Sequence, residues 1–191
     1  MGLSQIAYLI LLLAVAGLRL IELRVSRRNQ QRLLAQGAQQ VPEPSAFGGM
    51  VALHTGILLG SAAEVVFLSR PLVAALAIAM AVVLVATNAV RWWVIHTLAG
   101  RWSVCVLTPS QMGIVSGGPF RFVRHPNYAA VFVEMLAIPL LHTAWLAALA
   151  GAVVHVFVLR VRIQLEESVL MANVEYQAAM GAKPRFVPGL F

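Results

Sequence analysis

Cysteine is nearly absent from this chain, and the single one, Cys105, rules out an internal disulfide and any cysteine-built metal site. The five histidines are scattered, with no HExxH or other metal-ligand spacing, so no metal is expected. Aspartate is missing altogether, which leaves seven glutamates against thirteen arginines and one lysine, a formal net charge of +7. Charged residues make up only 11% of the chain and hydrophobic ones 60%, with a mean hydropathy of +0.84. Those values lie outside the range of a soluble globular domain. A pI near 11.1 taken alone admits nucleic acid as a partner. Here, however, the basic residues sit beside long apolar runs, as the positive-inside rule places them, and no nucleic acid is expected. Internal repeats and low-complexity tracts are also lacking, and 191 residues suit one domain.

What is present is a series of apolar runs near the roughly 20 residues that a crossing helix needs. The first runs from Leu3 to about Ile21. Ala14-Val15-Ala16 looks like a signal-peptide cleavage site, but no positive charge precedes the run and everything downstream is membrane-like, so it reads as a retained helix. A polar stretch follows from Glu22 to Ser45 with Arg24, Arg27, Arg28 and Arg32. The second run is Phe47 to Leu68, interrupted by His54 and Glu64. After a tight turn at Ser69-Arg70-Pro71, the third spans Leu72 to about Ile95. His96 to Asn127 holds Gly, Pro, Ser and Arg and cannot cross. Tyr128 to Leu159 is too long for one untilted span and too short for two comfortable ones. Pro139 removes a backbone donor near its middle. The stretch is predicted to be a helical hairpin, one arm from Tyr128 to about Leu141, a turn at His142, and a second arm from Trp145 into the tail. Both arms are expected to be short.

The fold class expected is therefore an all-α membrane protein of about five transmembrane helices. Residues 1–95 form helices one to three, and 96–191 form a loop, the hairpin and a C-terminal cofactor-binding region. Five crossings place Arg24 to Arg32, Arg101 to Arg124, and Arg160, Arg162, Lys183 and Arg185 on one side. By the positive-inside rule that side, with the C-terminus, is cytoplasmic.

The hairpin brings Arg124-His125-Pro126 and Arg162 to Glu167 to the same end. Pro126 suits the first position of a helix, where a missing N–H costs nothing. The free N–H groups of that helix start form a potential anion site, with Arg121 and Arg124 beside it. Glu166 and Glu167 supply carboxylates for a cation, so the pair of clusters suits a zwitterion.

Gly117-Gly118-Pro119-Phe120-Arg121-Phe122-Val123-Arg124-His125-Pro126-Asn127-Tyr128, Glu166-Glu167 and Arg185-Phe186-Val187-Pro188 together resemble the isoprenylcysteine carboxyl methyltransferase family, over about residues 85 to 191. The wider superfamily includes phospholipid N-methyltransferases. The resemblance implies an integral membrane enzyme using S-adenosylmethionine on a lipophilic or prenylated substrate. It implies cofactor contacts from Gly118, Arg124, His125, Pro126, Tyr128, Glu166 and Glu167, with Arg185, Arg124 and Glu167 at the chemistry and Arg185 facing the reacting group. Two places depart from the family pattern. Ala130 stands where Gly is usual, and the segment around Val174-Glu175-Tyr176 is shorter than usual. The arginine-rich, alanine- and valine-rich composition suggests a bacterial inner membrane. Similar bacterial proteins methylate the hydroxyl of long-chain polyketides such as alkylpyrones, and that acceptor stands beside a prenylcysteine carboxylate.

Plainer readings remain beside these. Arg121 and Arg124 serve equally as topology markers. Arg162 and Glu166, four apart, read as a helix-surface ion pair that leaves Glu167 the freer carboxylate. Arg185 also suits a lipid headgroup anchor. Arg91 with Trp92 and Trp93 reads as an interfacial belt. His54, Glu64 and Asn88 are ionisable or polar groups within spans. His96 and Trp102 carry no assignment. A phospholipid amine is the alternative acceptor, and a non-catalytic scaffold or small transporter the alternative class.

Overall fold

The computed structural model describes residues 1–42, 46–108 and 113–186. Its first helix outlasts the apolar run that begins it: α1 spans Leu3–Ala35, continuing through the polar stretch expected to lie beyond it. The reason is a polar but inward-facing stripe. Glu22, Ser26, Asn29 and Leu33 are all buried and fall at helical spacing, so this half of α1 packs through hydrogen bonds where the first half packs through Tyr8, Leu12 and Val15. Asn29 Nδ2 donates to the carbonyls of Ala99 (3.3 Å) and Trp102 (2.9 Å), and Ser26 Oγ accepts from the Val104 N–H (2.9 Å). The helix stops at Gly37, whose φ of +88° lies in the left-handed region.

Helices α2 (Ala46–Phe67) and α3 (Ala74–Leu98) follow the predicted spans closely, joined by a turn in which Ser69 takes φ +48°. Beyond α3 come two 3₁₀ turns, Ala99–Arg101 and Gly118–Arg121. The segments around Gln40 and Leu107 meet in one isolated antiparallel bridge, and among the described residues there is no other strand pairing. The predicted hairpin is present. Its first arm is α4 (Pro126–Leu140), with Pro126 at the first helical position, and its second is α5 (Trp145–Leu170). Pro139 sits one residue before the end of α4, and its carbonyl takes the N–H groups of His142 (3.3 Å) and Ala144 (2.9 Å) to close the turn. Only the first arm is short. The second has 26 residues, because α5 runs on through Arg160 to Glu167 instead of ending with its apolar part. The tail adds α6 (Val174–Met180), capped by the Asn173 side chain, which accepts from the Tyr176 N–H at 2.9 Å.

Four helices, α1, α2, α3 and α5, are long and apolar enough to cross a membrane, and α4 is a shorter apolar helix. Large apolar side chains such as Leu13, Ile78, Val85, Leu149 and Phe157 point outward, more than half exposed. Such continuous apolar faces belong in lipid, and this is a membrane protein. Inside, α4 is the central helix, packed against α3 and α5, with Ala130, Val131, Met135 and Ile138 buried. Helices α2 and α5 approach closely at Gly151, where a Cβ would lie 2.7 Å from Ile57 Cγ1. The α4–α5 turn marks the distal end of the bundle, and the opposite end carries the site.

Candidate functional site

Continuing the buried stripe of α5, Ala148, Gly151, His155 and Leu159, by steps of three and four residues lands on Arg162 and Ile163 and then on Glu167. The helix therefore aims both signs of charge inward. Glu167 is held on three sides. Arg185 Nη2 donates to Oε2 at 2.6 Å and Arg185 Nε to both carboxylate oxygens at 3.1 Å. His125 Nε2 lies 3.0 Å from Oε1 and Arg124 Nη1 3.4 Å from it. Glu167 is thus the most tethered carboxylate of the pair, where the sequence suggested the freer one. Its hydrogen bond raises the pKa of the Arg185 guanidinium still further.

Glu166 accepts from the Tyr128 hydroxyl, whose oxygen in turn accepts from Arg162 Nε at 3.0 Å. Arg162 is buried and also donates to the Val104 carbonyl. It lies off the helix surface, because the inward stripe turns it under Tyr128 and the 102–106 segment. Three guanidiniums, those of Arg124, Arg162 and Arg185, thus face two carboxylates. That excess of positive charge suits an anion.

The tail completes the mouth. The N–H groups of Arg124 and His125 donate to the carbonyls of Pro184 (2.9 Å) and Arg185 (3.0 Å), and Lys183 Nζ reaches the Phe120 carbonyl at 2.8 Å. The start of α4, expected to offer its positive end to a bound anion, is already faced by the Glu167 carboxylate through His125, its N-cap residue. Val187 and Pro188 of the expected terminal motif lie outside the described residues.

Two cavities open at this end. The smaller, about 200 Å³, lies between the 101–108 and 113–115 segments and α5–α6, and Tyr176 is among its walls. Burial, and then the nearby Glu166, push the Tyr176 phenol up to about 12, so it stays protonated at neutral pH. The larger, about 370 Å³, runs between α1, α2, α3 and α4 and is mostly apolar, with Leu20 and Val51 of its lining also exposed on the lipid-facing side. Arg124, Arg162, Glu166, Ser103, Phe120 and Leu98 line both. His125, Pro126 and Tyr128 line the larger one.

Three expected residues, Gly118, Glu167 and Arg185, stand outside the walls of both cavities. Gly118 lines neither cavity. With φ +56° and Thr97 Oγ1 at 2.5 Å from where a Cβ would be, it packs the second 3₁₀ turn onto α3. Arg185, half exposed, grips Glu167 at the rim and, like Glu167, is not among the residues that line either cavity. Arg121 is exposed and lies over the Phe122 ring at 4.5 Å, apart from the cluster.

Sequence reasoning missed a second charged group. Arg91 is buried, not an interfacial anchor: its Nη2 donates to Glu22 Oε2 at 2.6 Å and its Nε lies 3.6 Å from Glu134 Oε2. Arg19 bridges the same two glutamates, and Asn88 Nδ2 donates to Glu134 Oε1 at 3.2 Å. The neighbouring tryptophans suggested a belt. The signal overlooked was Glu134, a carboxylate in an otherwise apolar helix that demands cationic partners. Trp102 is buried against Val94 and Ile95, and His96 is exposed beside Trp92.

Residues 77–172 match the isoprenylcysteine carboxyl methyltransferase family, a span that holds α4, α5 and both clusters of the mouth. The chain belongs to this family. The match starts within α3 and stops before α6, so the tail with Arg185 lies beyond it. The family is one of membrane methyltransferases, which suits a helical membrane protein with a charged mouth. Among curated proteins, the chain is 31% identical to the uncharacterized protein YpbQ of Bacillus subtilis over 152 residues, 80% of this chain and 89% of that one. An uncharacterized protein of Haemophilus influenzae is 27% identical over 157 residues, 82% and 90% of the two chains.

Proposed function

We propose that this protein is an S-adenosylmethionine-dependent methyltransferase that methylates an oxygen, carboxylate or acidic hydroxyl, of a lipophilic acceptor. One observation carries the reading: Arg124, Arg162 and Glu166 form a common wall between a mouth cavity and a larger, apolar one. A zwitterionic methyl donor from water and an acceptor dissolved in lipid need two compartments that meet at one point.

The residues fit the donor. Arg124 Nε and Asn127 Oδ1 are buried without a hydrogen-bond partner among the described residues, one a donor and one an acceptor. Arg124 suits the donor's carboxylate and Glu166 its ammonium or ribose hydroxyls, while His125, Pro126, Asn127 and Tyr128, which line the larger cavity, wall the junction where the donor's methyl group would meet the acceptor. Glu167 acts through others by fixing Arg124, His125 and Arg185. When bound, the donor supplies an electrophilic methyl group on a sulfonium. The chain's own part is to hold the acceptor oxygen as an anion beside Arg124 and Arg162, keep water away with the apolar walls, and align the reacting atoms, worth ~7–11 kcal/mol.

An acceptor that is already anionic needs no base. An amine must first lose a proton, yet His125 and Glu167 are bound to one another and Glu166 is bound to Tyr128. Oxygen is therefore favoured over a phospholipid amine. A prenylcysteine carboxylate and the acidic hydroxyl of a long-chain polyketide such as an alkylpyrone both satisfy this chemistry. A transporter is disfavoured because Glu64, the carboxylate within α2, is spent on Arg70 and the start of α5.

In this reading the protein is multi-pass in a bacterial inner membrane, with α4 as the fifth crossing and the mouth and C-terminus cytoplasmic. That arrangement puts Arg24 to Arg32, Arg101 to Arg124 and Arg160 to Arg185 on one side. Residues 96–191 then form the catalytic region, and the helices of 1–95 wall the acceptor cavity. The test is calorimetry of the purified protein with S-adenosylhomocysteine. Saturable binding that is lost in Arg124→Ala is expected, and absence of binding to the native protein overturns the reading.

A further inference from the structure

The larger cavity is polar at both ends. Its site end is Arg124, Arg162 and Glu166; its inner end is lined by His54 of α2 and by Arg19, Glu22 and Arg91. These three, with Glu134, form a ring of two guanidiniums and two carboxylates, formally neutral and drawn from α1, α3 and α4. His54 is different. Its ring meets His155 edge-on at 5.8 Å, the buried Nε2 of each ring has no hydrogen-bond partner among the described residues, and of the two only His54 lines the cavity. An imidazole that only filled space here would leave a polar atom unsatisfied, a cost that Phe or Leu at the same position would avoid.

We propose that this inner end reads a second polar group on the acceptor, an uncharged carbonyl or hydroxyl, through His54 with the Arg19–Arg91 ring behind it. The group is uncharged because the ring is already neutral, and an ionic group would lie unpaired in an apolar wall. Its place along the acceptor follows from α5. His155, against His54, precedes Arg162 by seven residues, so the second polar group lies about 10 Å from the methyl-accepting oxygen. The acceptor class is thereby narrowed from any lipophilic acid to a long-chain one that is oxygenated again within its chain. This rests on the larger cavity being the acceptor site of the proposed methyltransferase.

The test compares two fatty acids of equal length, one saturated and one with a mid-chain keto group about 10 Å from the carboxylate, by calorimetric binding to the full chain in nanodiscs. The expected result is ~5–10-fold tighter binding of the keto acid, as one neutral hydrogen bond gives. His54→Phe removes that preference and His54→Gln, which keeps a donor and an acceptor, retains most of it. Unfolding midpoints report whether each variant is folded. Equal affinity of the two acids, no binding of either, or a preference that survives in folded His54→Phe overturns the proposal. Because the readout is acceptor binding, failure of S-adenosylhomocysteine to bind would sink the methyltransferase reading while leaving a keto preference intact.

Discussion

The two ends of the bundle both bury ionisable groups, and they use them in opposite ways. At the distal end Glu64 accepts the N–H groups of Leu146 (3.1 Å) and Ala147 (2.8 Å) at the start of α5, and pairs with Arg70 at 2.7 Å. Thr143 Oγ1 donates to the Pro71 carbonyl at 2.6 Å, and the Tyr8 hydroxyl to the Ile138 carbonyl at 3.0 Å. These polar atoms answer backbone groups, chiefly those that helix ends leave open, while the buried His142 ring in the turn has no hydrogen-bond partner among the described residues. At the site end charges face other side chains across open space, and Arg124 Nε and Asn127 Oδ1 have no protein partner among the described residues. A buried charge is thus informative less by its burial than by what it is turned toward.

The largest effect that would break this contrast is expected at Arg124. Arg124→Ala should lower methyl transfer to a long-chain acid by at least ~10²-fold, in line with losing one stabilising donor, with little change in the unfolding midpoint. Activity within a few-fold of the native protein would mean that the shared wall is not where the chemistry happens. Glu167→Ala comes next. Unpairing Arg185, Arg124 and His125 should cost ~10–100-fold in activity through misplaced partners, and calorimetry should show weaker S-adenosylhomocysteine binding. Unaltered binding would remove Glu167 from the site. Glu64→Gln sharpens the comparison from the other side. It should cost about 1–3 kcal/mol of stability, read as a lower unfolding midpoint in detergent, and leave S-adenosylhomocysteine affinity unchanged. The smallest effect is at Tyr176. A phenol pushed up to about 12 stays neutral below that pH. Tyr176→Phe should therefore leave the shape of the pH–rate profile between pH 6 and ~9 unaltered, and a new ionisation in that range would contradict it.

Much of this was legible in residues alone. Pro139 and His142 located the hairpin turn because a proline near a helix end and a polar residue between apolar runs have few other uses. The span limits of α2 and α3 followed from hydropathy. What hydropathy could not show was polarity turned inward. The second half of α1 reads by composition only as a polar stretch beyond the first span, yet Ser26 and Asn29 bind the 99–104 backbone, and α1 is helical to Ala35. Arg91 beside two tryptophans has the signature of an anchor, and only Glu22 and Glu134, far off in sequence, reveal it as a buried partner. Within the site, the pairing of His125 with Glu167 was foreshadowed by the hairpin. The retreat of Arg185 to the rim was not, since it depends on how the tail returns over α4.

That return has a temporal side. The carbonyls of Pro184 and Arg185 splint the start of α4, and they are made only after both hairpin arms. During synthesis the pocket must wait for residues 183–186 to fold back, so a chain made only as far as α5 lacks a closed mouth. Removing residues 183–186 would strip the start of α4 of both contacts at once.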